Sequence, residues 1–106
     1  MYHDGADHVP QDYAEALKWW HKAADQGHAP AQSGLGAMYG LGQGVPQDYV
    51  QAHMWLNLAA SLLPSSQKEL RENAVHDRNM VASKMTPAQI AEAQRLAREW
   101  KPKPEE

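Results

Sequence analysis

The chain has no cysteine and no phenylalanine. The first absence excludes disulfides and thiolate-bound zinc. The second leaves tryptophan, tyrosine, leucine, methionine and alanine to fill whatever core 106 residues can build. Positive charge is scarce as well: ten Lys and Arg stand against thirteen Asp and Glu, a net charge of −3. Such a chain has no basic field to concentrate nucleic acid or an anionic membrane, so neither is expected as a partner. No apolar run approaches the ~18 residues of a membrane-spanning helix, and nothing reads as a signal peptide, so no membrane insertion is expected. Cytoplasm and periplasm both suit a cysteine-free chain, and composition does not choose between them. The length fits one domain.

What is present is a repeat. Val9-Pro10-Gln11-Asp12-Tyr13 returns 36 residues later as Val45-Pro46-Gln47-Asp48-Tyr49, and nine of the sixteen positions in 9–24 are identical in 45–60. A fixed period of this size marks stacked supersecondary units, none of which can bury its apolar face alone. Such arrays usually work as binding surfaces.

The local signals are helical throughout. Asp12 reads as the N-cap of a first helix carrying Tyr13, Ala16, Leu17, Trp20 and Ala24, which Gly27 ends. Pro30 opens a second helix, which Gly40, Gly42 and Gly44 dissolve into a loop. Asp48 caps a third, from Tyr49 to about Leu62, and Pro64 stops it. Ser66 and Glu69 have capping-box spacing ahead of a fourth helix running to about Lys84. Thr86-Pro87-Ala88-Gln89 starts a fifth, which runs to Trp100. Residues 1–104 therefore read as one domain: a partial repeat at 1–27, a full repeat at 28–63, a third helical unit at 64–85 and a capping helix at 86–100. Residues 101–106 form a polar tail.

The two copies of the repeat differ in an informative way. Lys18 and Lys22 of the first become Met54 and Leu58 in the second, and Leu62 continues that apolar stripe. Something must cover it. The last helix offers a matching stripe in Ile90, Ala93, Leu96, Ala97 and Trp100, as a terminal cap would; the alternative is a stripe left open for a partner. At the other end, the first unit has no room for a leading helix before Met1-Tyr2, so Leu17 and Trp20 are expected to be under-covered. Either the chain is the end of a longer array, or this edge meets another chain.

Ala29-x-Ala31-x-x-x-Leu35-Gly36-x-Met38-Tyr39, then Gly42-x-Gly44-Val45-x-x-Asp48-Tyr49-x-x-Ala52-x-x-Trp55-x-x-x-Ala59-Ala60, resembles the Sel-1-like repeat, a relative of the tetratricopeptide repeat. The resemblance covers roughly residues 1–60, and residues 61–104 look like the helical ending often attached to bacterial members. It implies an all-α fold, an α/α superhelix of about five helices, and a role as adaptor or scaffold. Gly36, Ala52 and Ala59 suit close helix approach, while Tyr39, Tyr49 and Trp55 suit the space between hairpins. Gly34 and the longer first loop depart from the pattern.

Catalytic and metal chemistry has little to stand on. His3, His8, His21, His28, His53 and His76 form no i, i+4 ligand pair, so no metal or other cofactor is expected. Asp12 and Asp48 recur at helix starts, as caps do. No serine sits in a nucleophile elbow, and Gly40–Gly44 lacks the Lys-Ser/Thr ending of a phosphate loop. The expected function is a non-enzymatic interaction module holding a protein or peptide on a helical groove. The resemblance assigns its concave wall to the leading helices, through Gln32, Ser33 and Ala37, continued by Glu69, Asn73 and His76 on the fourth helix. Self-association through the N-terminal edge is the other reading.

Overall fold

The computed structural model describes residues 9–103, with side chains from Glu15 onward. It contains α1 (Val9–Asp25), α2 (Ala29–Leu41), α3 (Tyr49–Leu62), α4 (Lys68–Ala82) and α5 (Pro87–Glu99), with a 3₁₀ turn at Ser65–Gln67. No strand occurs among the described residues. The chain is an all-α, tetratricopeptide-like helical solenoid, as expected. The reading that a leading helix is missing before α1 rests on Met1 and Tyr2, which lie outside the described residues.

Most boundaries follow from local chemistry. Pro30 sits in the first turn of α2, where its missing N–H costs nothing. α2 ends at Gly42, whose φ of 71° is left-handed and whose N–H reaches Met38 O at 2.8 Å. Asp48 caps α3 by accepting from Gln51 N at 3.1 Å. Thr86 and Gln89 make the reciprocal capping box, at 3.1 Å and 2.9 Å.

Two expected caps are corrected. α1 starts at Val9, so Asp12 lies within the helix and is not its cap. Ser66 falls in the 3₁₀ turn, and α4 is preceded by Gln67 with no side-chain cap, so the Ser66–Glu69 box does not form. The turn that follows Pro64 tightens the entry and takes up the residues that a capping box would have used. α4 also stops two residues earlier than expected, at Ala82.

α3 is the centre of the molecule. It packs against α2, α4 and α5, while α1 packs against α2. Ala52, Trp55, Leu56 and Ala59 are among its buried residues, so it is apolar on several faces where a surface helix would have one. One core cluster joins Ala24, Ala31, Leu35, Met54, Trp55 and Leu58, with Leu17, Leu96 and Trp100 packed against it. A second joins Ala29, Ala59, Ala60, Leu63 and Ala74 under Leu70 and Val75. Each buried leucine or methionine of this kind contributes about 1.5–3 kcal/mol.

The stripe created by Lys18→Met54 and Lys22→Leu58 along the repeat is covered by α5. Met54 and Leu58 are buried against Leu96, Ala97 and Trp100, and the Trp55 and Trp100 rings meet edge-to-face at 6.5 Å. Leu62, at the far end of the stripe, stays exposed. The segment after α5 folds back: Lys103 N donates to Asp25 O at 2.7 Å, and its ammonium lies 3.5 Å from the Asp25 carboxylate.

The small residues have specific neighbours. A Cβ on Gly36 would lie 2.7 Å from Leu56 Cγ, which is what lets α2 approach α3. Gly34, the departure from the repeat pattern, faces the ring of Trp20, and a Cβ there would come within 2.8 Å of it.

Candidate partner-binding groove

α2 and α4 lie side by side over α3 and leave a groove of about 280 Å³ between their C-terminal halves. Its floor is Gly36 and Leu56, one wall is Ala37, Gly40 and Leu41, and the other is Asp77, Met80, Val81 and Lys84. Gln47 and Tyr49 close one end. The loop there is tied down, because Gln47 Nε2 donates to Gly40 O at 2.9 Å and Asp48 N to Tyr39 O at 3.0 Å. Leu41 is 67% exposed and Met80 53% exposed, one on each wall. Two large apolar side chains held open to water across an apolar floor are the arrangement expected of a contact surface.

The residues expected on the concave wall divide. Ala37 lines the groove. Ser33 is half-buried one turn earlier on α2. Glu69, Asn73 and His76 are exposed on α4, on its N-terminal side of the groove. Gln32 is corrected: it is fully buried, and its amide donates to Ala24 O at 3.1 Å, tying α2 to the end of α1. The helical period explains the error, since a 100° step from Ser33 turns Gln32 toward the core. Leu41, Asp77, Met80, Val81 and Lys84 were missed. For those on α4 the signal was the spacing 77, 80, 81, which puts two apolar residues beside a charge on one face; Leu41 ends α2 and Lys84 lies in the turn after α4.

Two polar clusters lie away from the groove. His21 Nε2 sits 3.1 Å from the Tyr39 hydroxyl, and the His21 ring packs edge-on to Trp55. Burial, with Asp48 and Asp25 nearby, raises the Tyr39 pKa and keeps the phenol protonated. His53 is buried with its Nδ1 unpartnered. Burial first, then the nearby Arg78 guanidinium, lowers its pKa. Arg78 is held by Asn57 Oδ1 at 3.0 Å. Among the described residues, no group of three or more His, Asp or Glu is placed to hold a metal. No described helix is long and apolar enough to cross a membrane.

The helical pairs, the glycine loop and the paired aromatics define a tetratricopeptide-like repeat protein. The family model of the Sel1 repeat matches residues 1–28 and 29–62, so the chain belongs to the Sel1 repeat family. No curated protein and no solved structure matches it. Sel1 repeats generally mediate protein–protein interaction and are generally non-enzymatic.

Proposed function

We propose that this chain is a non-enzymatic adaptor that holds a protein or peptide partner in the groove between α2 and α4. The observation that carries this reading is the pair Leu41 and Met80, kept exposed on opposite walls of an apolar cleft. Ser33 and Ala37 extend the contact along α2, and Asn73 and His76 along α4. The scaffold is rigid there because α3 is buried beneath it, so binding requires little reordering of the chain. Replacing Ser33 and Ala37 with glutamate tests this. The exposed end of the substitution leaves α2 helical, which circular dichroism checks, and partner recovery should fall at least tenfold. Undiminished recovery by a folded variant removes the groove as the binding surface.

A second reading has its own observation. Trp19 is 61% exposed, whereas its repeat equivalent Trp55 is 4% exposed. The same position packs against the preceding unit in the second copy and lies bare in the first, with Lys22 5.5 Å above the ring. This edge supports assembly with a further repeat or a second copy. Light scattering separates the readings: a monomer at high concentration excludes pairing of two copies.

A further inference from the structure

The groove has a charge pattern as well as an apolar floor. Asp77 stands on the α4 wall and Lys84 in the turn just after that helix, with Met80 and Val81 between them in the chain. Among the described residues, no ion pair engages either charge. The width is also restricted. A Cβ on Gly40 would lie 3.5 Å from Val81 Cγ2 and 3.7 Å from Ala52 Cβ, so the two walls converge at the base of the groove, above buried Ala52. An α-helix about 10–12 Å across cannot reach so narrow a base, whereas a single side chain can. At about 280 Å³ the groove holds an anchor and would not enclose a whole ligand.

Resting on the reading that this groove is the partner surface, we propose that it takes an extended peptide segment bearing one aliphatic side chain flanked by opposite charges. The pattern is Lys/Arg-x-Leu-x-Glu/Asp. In an extended segment, residues two apart share a face, so base, leucine and acid all point into the groove. Those outer Cα positions span about 13 Å, within reach of Asp77 and Lys84 through long side chains. Leucine lies between Leu41 and Met80, the base meets Asp77 and the acid meets Lys84. The aliphatic anchor supplies most of the affinity, and the two exposed charges set the pattern and direction.

The test is a titration of the full chain, followed through the methyl resonances of Leu41 and Met80, with the capped peptide Lys-Ala-Leu-Ala-Glu. A saturable shift of both methyls is expected, weakened at least ~tenfold when serine replaces the leucine. Gly40→Ala should weaken binding comparably while leaving the melting temperature equal or higher. Its methyl fits at ordinary contact distance but fills the narrow gap between the walls, and alanine favours the helix. Asp77→Lys should shift preference toward Glu-Ala-Leu-Ala-Glu. The proposal is overturned if the methyls do not respond, if leucine and serine peptides behave alike, or if Asp77→Lys leaves the preference unchanged. Peptide-independent shifts that grow with protein concentration would identify a second copy as the occupant, and also overturn it. If the peptide fails while the Ser33 and Ala37 glutamates still abolish partner recovery, the peptide class is wrong and the groove reading stands.

Discussion

A glycine inside α2 weakens that helix, and the Trp20 ring is what occupies the space it leaves. Gly34→Ala improves intrinsic helix propensity by about 1 kcal/mol. It also drives a Cβ to within 2.8 Å of the ring, an overpacking that costs about 1–3 kcal/mol. Net destabilisation is expected in denaturant unfolding, and Trp20→Leu in the same chain should reverse it. A simple gain of stability on Gly34→Ala alone would show that the ring moves aside freely. His53 carries a pH dependence. Its pKa is lowered from 6.5 in the folded chain by burial and by Arg78. The unfolded chain therefore takes up the proton first as pH falls. Stability is full above pH 6.5 and declines as pH drops through that value toward the folded one. His53→Gln should flatten this acid limb in thermal melts from pH 7 to 5, whereas an unchanged slope would place the titration elsewhere. The Gly34 pattern break was visible in the sequence but its cause was not, because the partner ring comes from another helix.

At the scale of elements, caps distinguish real helix starts from look-alikes. Thr86→Ala removes one half of a formed capping box and should cost about 1 kcal/mol. Ser66→Ala should cost almost nothing, although its spacing to Glu69 is equally good, because α4 begins after the 3₁₀ turn. Equal losses for the two would contradict that boundary. Trp100→Ala tests the packing of α5 on α3. It removes the ring packed on Trp55 and on the α1–α2 turn, and should cost about 2–4 kcal/mol and raise dye binding to the uncovered Met54–Leu58 stripe. The helix types, their order and the covering of this stripe were legible from periodicity and from Lys18 and Lys22 becoming Met54 and Leu58. The return of Lys103 to Asp25 was not, since a tail of lysine and proline carries no pattern that names its contact.

At the scale of the whole molecule, the solenoid places its most enclosed helix, α3, under a groove whose walls are the two leading helices. The sequence pointed to those helices and to Ala37, yet put Gln32 on the surface and overlooked Leu41 and Met80. Which turn of a helix faces a neighbour depends on the packing angle, and that is fixed only when α2, α3 and α4 meet. The groove and the Trp19 edge then make different assemblies from the same chain. A photoreactive residue in place of Leu41, and separately in place of Trp19, in cells that make the protein separates them. The groove account predicts an adduct between Leu41 and a different protein, lost when Ala37 is also changed to glutamate. Adducts formed only from Trp19, with the mass of two copies of this chain, would contradict it.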